Sequence, residues 1–166
     1  MRVVLDGIYP STIDDCAMAM QLTLLSRRVH IRPTRSRVFV VEAASLRWLE
    51  AFPQHGRGRK HERPIRLVEW QQAIVDDLPE PFLRGLIWSD GCRTVNRFDT
   101  KLPSGRVATY AYPRYFFSNL STDIRGLFCA SCDRLGVKWT QSNPRNISVS
   151  HRDSVAELDG FVGPKA

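Results

Sequence analysis

Two octapeptides with the same residue pattern lie 109 positions apart in a chain of 166 residues. Residues 45–52 and 154–161 both read Ser, any three residues, Leu, an acid, a small residue and Phe. Two further pairs keep nearly the same spacing, at 110 and 108 positions: Ser11 with Ser121, and Val29 with Val137. A fixed period of this kind indicates a repeated supersecondary unit, so we expect two related halves.

Each half is predicted to have the same order of elements. A helix with a Ser/Thr cap comes first, at 12–25 and again at 121–135. Two strands bounded by turn residues follow, at 29–34 and 37–42 in the first half and at 137–142 and 146–150 in the second. A short helix closes each half, capped by Ser45 in the first and by Asp153 or Ser154 in the second.

The second half is predicted to begin with three additional elements. A helix at 82–91 precedes two strands, 92–101 and 106–112, which are joined by a turn at 102–105. The first half begins instead at a single strand, 2–5, and a helix over 64–78 connects the halves. The second half therefore reads helix, strand, strand, helix, strand, strand, helix. This order predicts an α+β fold with antiparallel sheets.

The helix at 82–91 has the sequence FLRGLIWSDG. Leu83, Leu86 and Ile87 share one face of it because they are three and four residues apart. Gly85 lies in the helix interior, where glycine costs about 1 kcal/mol relative to alanine, so a close neighbour is expected there. Asp90 lies at the negative end of the helix dipole, which is unfavourable for an anion and suggests an opposing cation.

Composition narrows the classes of function. The net charge is +7, which favours a polyanionic partner such as nucleic acid. No apolar run is long enough to span a membrane, and no signal peptide is visible. The four cysteines are therefore expected to be reduced, as is usual in the cytoplasm. Cys129 and Cys132 have zinc-like spacing, but no second pair of ligands lies nearby in the sequence. We therefore predict that their side chains pack against neighbouring residues rather than bind zinc.

The FLRGLIWSDG sequence, taken with this order of elements, resembles the LAGLIDADG homing endonuclease family, in its small stand-alone actinobacterial type. Positions 83–91 agree with six of the nine residues in L-A-G-L-I-D-A-D-G, including both glycines and the final acid. The resemblance covers residues 2–163. It implies a truncated first half at 1–56, a basic linker and connecting helix at 57–78, and a complete second half at 79–166.

The resemblance also implies a function. Two antiparallel sheets would form a saddle over double-stranded DNA, and two motif helices would pack side by side between them. Leu83, Gly85, Leu86 and Gly91 would form that helix interface. Asp90 would hold Mg²⁺ or another divalent cation at the scissile phosphate, in agreement with the preference of hard cations for carboxylate oxygens.

The chain departs from the family pattern because the first motif helix, with its acid, is missing. Three explanations stay open. The chain is a natural truncation that lost cleavage, or the reading frame is incomplete, or two copies pair their 82–91 helices as a homodimer and rebuild a site with two acids.

Basic side chains in the predicted strands and loops are the expected DNA contacts, since arginine pairs with guanine edges and phosphates. The set is His30, Arg32, Arg35, Arg37, Arg93, Arg97, Arg106, Lys138 and Arg145. The alternative is a solvated sheet surface. Lys60, or His61 beside it, lies in the basic linker and is a candidate for charge stabilisation or proton transfer. The alternative is that this linker is only a solvated loop that runs along the DNA phosphates.

The sequence thus predicts a cytoplasmic, nucleoid-associated protein that binds double-stranded DNA. If it is an enzyme, it is a site-specific endonuclease that hydrolyses phosphodiesters with Asp90 and Mg²⁺, assisted by Lys60. The alternatives are a non-catalytic DNA-binding transcriptional regulator and a degenerate remnant of a mobile element.

Overall fold

The computed structural model describes residues 1–25, 27–34 and 36–165, the side chain of Lys60 excepted. The chain divides into two compact units: unit 1 is Met1–Gly56 with the tail from Pro164, and unit 2 is Arg57–Gly163. The described residues form six α-helices and two antiparallel sheets, of three and four strands. The predicted α+β class is therefore confirmed.

Unit 1 contains one sheet and two helices. Its elements are β1 (Arg2–Asp6), α1 (Pro10–Thr23), β2 (His30–Pro33), β3 (Val38–Glu42) and α2 (Trp48–Ala51). The strand β3 lies between β1 and β2 and is antiparallel to both. One face of this sheet packs in the core, because the cross-strand pairs Val3–Val41 and Leu5–Phe39 place their side chains on the same side.

The core of unit 1 forms between that face of the sheet and the helices. Ile13 and Met20 of α1 pack with the fully buried Val41 and with Trp48. The indole N–H of Trp48 donates to the Ala43 carbonyl oxygen at 2.8 Å, so this buried ring keeps no unsatisfied donor.

Unit 2 contains the longer elements. After a 3₁₀ turn at Lys60–Glu62 come α3 (Glu69–Asp77), α4 (Pro79–Asp90), β4 (Gly91–Lys101), β5 (Val107–Ser118), α5 (Thr122–Arg134), β6 (Thr140–Asn143), β7 (Asn146–Val149) and α6 (Arg152–Phe161). The strand order is β4-β5-β7-β6, all antiparallel. From α4 onward the order is helix, strand, strand, helix, strand, strand, helix, as predicted.

The helices of unit 2 pack on one face of its sheet. Phe117 of β5 stacks on Phe128 of α5, with ring centroids 4.4 Å apart, and both side chains are fully buried. Leu83 and Ile87 of α4 and Leu158 of α6 complete this core. Burial of each such side chain contributes about 1.5–3 kcal/mol, so the core fixes which face of the sheet the helices cover.

The two units share a topology. In unit 1 the strand order is β1-β3-β2, and in unit 2 the last three strands have the order β5-β7-β6. In each case a helix follows the first strand, and a short helix follows the last. Unit 1 therefore has the topology of unit 2 without α3, α4 and β4, which agrees with the repeat in the sequence.

Several predicted helix starts are wrong. No side-chain cap precedes α1, which begins at Pro10, a residue suited to the first turn because it has no N–H to satisfy. The predicted caps of α6 are also wrong, since the helix begins at Arg152 and the Ser154 hydroxyl accepts the Lys138 N–H at 2.9 Å. The Ser45 hydroxyl accepts the Arg47 N–H in the turn before α2.

The observed ends of three other elements differ from the predicted ones. The connecting helix α3 begins at Glu69 rather than at 64, and α4 begins at Pro79 rather than at 82. The strand β5 continues to Ser118 instead of ending at 112, because its last four residues pair with β7. By contrast, Ser121 caps α5 as expected, accepting the Ile124 N–H at 3.4 Å.

Candidate nucleic-acid interface

Asp90 lies where α4 changes directly into β4, with no loop residue between them. The side-chain amide of Asn119 donates to Oδ2 of Asp90 at 2.8 Å. Asn119 is 5% exposed, and its amide oxygen accepts the Ser121 N–H at 2.8 Å. Both ends of this amide are therefore engaged, and Asn119 holds the carboxylate in one orientation.

Gly91 begins β4 in close contact with its own unit. A Cβ at this position would lie 2.9 Å from the carbonyl oxygens of Ile87 and Phe116. The junction therefore needs glycine because the backbones of α4 and β5 approach it closely. This contact within unit 2 accounts for Gly91 without the helix interface that we predicted for it.

The remaining predicted interface residues separate into two groups. Leu83 is fully buried in the core of unit 2, so its side chain is not available to a second helix. Leu86 is half-buried against that core. Gly85 is exposed, and a Cβ there would meet no described atom within 4 Å. The face of α4 that carries Gly85 is thus open in the described structure.

Asp90 is not part of a larger metal-binding group among the described residues. No group of three or more His, Cys, Asp or Glu side chains among the described residues is arranged to hold a metal ion. Magnesium ions are commonly held by one or two carboxylates together with phosphate oxygens. Asp90 is one carboxylate of this type.

Arg93 and Arg97 share one face of β4, and this is the face that the helices cover at the base of the strand. Arg93 pairs across the ladder with Tyr115, which is buried in the core, and Arg97 pairs with Ala111. Directly opposed residues share a face, so both arginines lie on the helix side of the sheet. This differs from their predicted place on a DNA-binding face.

Arg93 also has a partner in α6. Its guanidinium donates to both carboxylate oxygens of Asp159, at 2.7 and 2.8 Å, and the Tyr115 hydroxyl donates to Asp159 at 2.6 Å. The Arg93 hydrogen bond, with a smaller contribution from Tyr115, lowers the pKa of Asp159 below its ordinary value. Burial, followed by the Asp159 hydrogen bond, raises the pKa of Tyr115. Arg93 is thus part of the structural link between β4 and α6.

The opposite side of the unit 2 sheet, which we call the open face, has a different composition. It carries the even-numbered residues of β4 and β5, because their odd-numbered partners Tyr115 and Phe117 face the core. Its members are Thr94, Asn96, Phe98, Thr100, Tyr110, Tyr112, Arg114 and Phe116. Hydroxyl, amide, guanidinium and aromatic side chains are the types that contact base edges in a major groove.

Arg114 is the basic residue of the open face. It donates to the Ser148 hydroxyl at 3.0 Å, and its guanidinium lies 4.4 Å from the centre of the Phe116 ring. Its Nε atom is buried and has no hydrogen-bond acceptor among the described residues. Sequence reasoning missed Arg114, although its even position opposite Thr94 would have identified it once the core face was known.

The hairpin formed by β4 and β5 extends well past the core. At 11 residues, β4 is about 36 Å long, given a rise of about 3.3 Å per residue. Beyond the pair Arg93–Tyr115, every residue of β4 is exposed. The turn at its tip is stabilised by Gly105, whose φ of +81° is easy for glycine, and the predicted contact Arg106 follows it. The hairpin is therefore a projecting two-stranded ribbon.

Unit 1 has a basic surface of its own. His30 and Arg32 share the side of its sheet that faces away from the core, and Arg32 forms an ion pair with Glu42. An open pocket of about 570 Å³ at this edge is lined by Arg2, Arg27, Arg28, His30, Glu42 and neighbouring residues. Arg37 is exposed beside β3, whereas Arg35 lies outside the described residues.

The other predicted contacts lie in different places. Lys138 is exposed before β6, and Arg145 is exposed in the turn between β6 and β7, where its N–H donates to Asn143. The predicted catalytic role of Lys60 concerns a side chain outside the described residues. Cys132 is fully buried in the core, and burial raises the pKa of the Cys129 thiol to about 11, which disfavours the thiolate that zinc requires.

Comparison with known proteins adds no family. No protein-family model matches the chain, and no curated protein matches it either. No helix among the described residues has the length and apolar character needed to cross a membrane.

Proposed function

We propose that this chain binds double-stranded DNA in the manner of a homing endonuclease of the LAGLIDADG type. The observation that carries the proposal is the projecting β4–β5 hairpin, whose open face combines base-reading side chains. Residues 91–118 contain five basic residues and one acidic residue. A two-stranded ribbon fits the major groove, which is about 12 Å wide.

The division of the basic residues supports this proposal. Arg114 lies on the open face, Arg106 follows the turn at the tip, and Arg97 and Lys101 lie on the opposite face of the same hairpin. A basic side chain at the tip of a ribbon is in position to reach the phosphates that border a groove, and such contacts set position rather than sequence. The hairpin thus offers both kinds of contact.

Cleavage is proposed for an assembly that supplies a second acid. In this proposal Asp90 contributes one carboxylate to a bound Mg²⁺, and Asn119 keeps that carboxylate oriented. Bound Mg²⁺ would stabilise charge on the phosphate and lower the pKa of an attacking water. The exposed side of α4 around Gly85 supports a homodimer in which two copies of α4 meet and bring two Asp90 residues together.

The lack of a group of three metal-binding side chains among the described residues favours a second candidate function. Because the described residues include no cluster of three metal-binding side chains, a single chain is better suited to DNA binding without cleavage. A non-catalytic DNA-binding regulator would keep the hairpin and have no use for Mg²⁺.

The test begins with binding. Fluorescence anisotropy would follow association with a randomised 30-base-pair duplex (about 10² Å long at ~3.4 Å per pair), across a range of salt concentrations. A protein that contacts six or more phosphates loses about a thousandfold or more in affinity between about 50 and 200 mM salt. Arg106→Ala at the tip of the hairpin should weaken binding, whereas Arg152→Ala on α6 serves as the matched control. A flat salt response would refute the proposal.

Cleavage needs a separate assay. Duplexes enriched by binding would be incubated with Mg²⁺ or with EDTA, and the products would be separated on a denaturing gel. Magnesium-dependent products that disappear in Asp90→Asn would establish the nuclease. Tight binding without products at any Mg²⁺ concentration would establish the regulator instead.

A further inference from the structure

Three aromatic residues form a continuous patch on the open face of the hairpin. The ring centroids of Phe98 and Tyr110 are 5.7 Å apart, those of Phe98 and Tyr112 are 6.0 Å apart, and those of Tyr110 and Tyr112 are 6.1 Å apart. Phe98 is 45% exposed and Tyr112 is 50% exposed, although both are large apolar groups. We call these three residues the aromatic patch. Exposed apolar surface of this kind marks an interaction site.

A single amide side chain borders the aromatic patch. Asn96 lies directly opposite Tyr112 in the ladder and two residues before Phe98, so all three share the open face. The side-chain amide of asparagine can donate to N7 of adenine while its oxygen accepts from the N6 amino group, and aromatic carbon contacts the methyl group of thymine. An A·T base pair presents both features on the same groove edge.

We propose that Asn96 and the aromatic patch read A·T base pairs in the major groove, Asn96 through adenine and the rings through the thymine methyl group. This inference rests on the proposed DNA binding and adds the specificity of the hairpin. It assigns base selection to residues on the open face rather than to Arg93 and Arg97.

Charge selects DNA as the occupant of the patch. The acid of the hairpin, Asp99, lies on the opposite face and accepts a hydrogen bond from Thr109 at 2.7 Å. The open face of the hairpin therefore carries no acidic side chain among its described residues. The aromatic patch can contact apolar groups, and the basic residues of the hairpin can contact negative charges on either side of them. A suitable partner therefore has apolar groups that lie between negative charges. A thymine methyl group between two phosphate backbones meets that description.

Duplex DNA is favoured over a single strand by the arrangement of the rings. Tyr110 and Tyr112 are nearly parallel, with 7° between their planes, and the rings of the patch contact one another. They form one apolar row along the ribbon instead of separate platforms on which successive bases stack. Single-stranded binding is nevertheless a distinct outcome of the experiment.

The experiment uses the wild-type protein and base analogues. Duplexes would be enriched from a randomised library, and each thymine would then be replaced in turn by deoxyuridine, which removes one methyl group. Loss of a buried methyl contact is expected to weaken binding about fourfold at the positions under the patch. Replacing an adenine by 7-deazaadenine removes the N7 acceptor and is expected to weaken binding about fivefold or more at the position under Asn96.

Variants assign these effects to residues. In Phe98→Ala and Tyr112→Ala, thymine and uracil duplexes are expected to bind equally, and in Asn96→Ala the 7-deazaadenine effect should disappear. Val95→Ala lies on the same strand but on the opposite face, so it should retain both effects. Circular dichroism melts would verify folding, and Phe98→Leu replaces any variant that fails to fold.

The outcomes separate the inference from the proposed function. Salt-dependent duplex binding without any uracil or 7-deazaadenine effect would overturn the A·T inference and leave DNA binding intact. Tighter binding to a single strand of the same sequence would also overturn it. Absence of duplex binding at low salt would overturn both.

Discussion

The side-chain amide of Asn119 donates a hydrogen bond to Asp90 across 29 residues of sequence, with 2.8 Å between Nδ2 and Oδ2. The contact joins the end of α4 to the loop after β5. It fixes a partly buried acid by a group that is itself fixed at Ser121.

Asn119→Asp should destabilise unit 2 increasingly as the pH rises. The new carboxylate would face Asp90, and like charges at this distance repel once both ionise. The free energy of unfolding, measured in urea from pH 4 to pH 8 (a window of about four units around carboxyl ionisation), should fall toward the alkaline end. The double variant Asp90→Asn with Asn119→Asp restores an amide–carboxylate pair and should recover most of the loss. Equal stability of wild type and Asn119→Asp at every pH would contradict the role assigned to Asn119.

Gly91→Ala should lower the free energy of unfolding by about 1–3 kcal/mol, as overpacking in a tight site does. The added Cβ would lie 2.9 Å from two backbone carbonyl oxygens, and backbone atoms cannot rotate out of the way as a side chain does. Urea denaturation followed by tryptophan fluorescence measures the change. A loss smaller than a few tenths of a kcal/mol would show that the junction relaxes freely.

Gly85→Ala should raise the free energy of unfolding of a monomer, which is the opposite of the effect expected for Gly91→Ala. Its Cβ would meet no described atom within 4 Å, and alanine is favoured over glycine by about 1 kcal/mol in a helix interior. If two copies of α4 pack through this glycine, the same variant should stabilise the monomer but weaken the dimer in analytical ultracentrifugation. Gly126→Ala in α5, which is equally open, is the matched control and should leave association unchanged. A dimer that tolerates Gly85→Ala does not use this face of α4.

Asp159→Asn should make the free energy of unfolding less dependent on pH in the acidic range. The folded-state pKa of Asp159 is held below its ordinary value of about 3.8 by Arg93 first and Tyr115 second. A carboxyl whose pKa is lowered by folding stabilises the protein above its unfolded pKa, and this stabilisation is lost as the pH falls through the folded value. Wild type should therefore lose stability below about pH 4 more steeply than Asp159→Asn does.

The matched variant for this pair is Tyr115→Phe. It keeps the Arg93 ion pair, which is the main cause of the lowered pKa, and should retain most of the acid dependence. Urea midpoints compared at neutral and acidic pH provide the measurement. Parallel acid limbs in wild type and Asp159→Asn would show that the ion pair contributes nothing to folding.

Much of the fold could be predicted because its signals are local. The alternation around residues 102–105 indicated a hairpin, and the capped apolar run after Ser121 indicated a helix. The repeated octapeptide indicated that the two halves share an element order, which the strand orders of the two units support. These patterns depend on neighbours within a few positions, so they are visible without a structure.

The open face could not be predicted in the same way. Alternation shows that Arg93 and Arg97 share a side of β4, but both sides of β4 are exposed over most of its length and both mix polar and apolar residues. The choice of side depends on Tyr115 and Phe117 in the opposing strand and on the register that pairs them with β4. Asn119 was missed for a similar reason, since its partner is distant in sequence and its local setting resembles an ordinary turn.

The direct junction between α4 and β4 has a mechanical consequence. Because Asp90 ends the helix and Gly91 begins the strand, the hairpin has no flexible hinge at its base, and Gly91 is held between Ile87 and Phe116. The strand β4 is roughly 36 Å long, and its first residue is bonded directly to Asp90. The position of Asp90 is therefore tied directly to the direction in which the hairpin leaves the core.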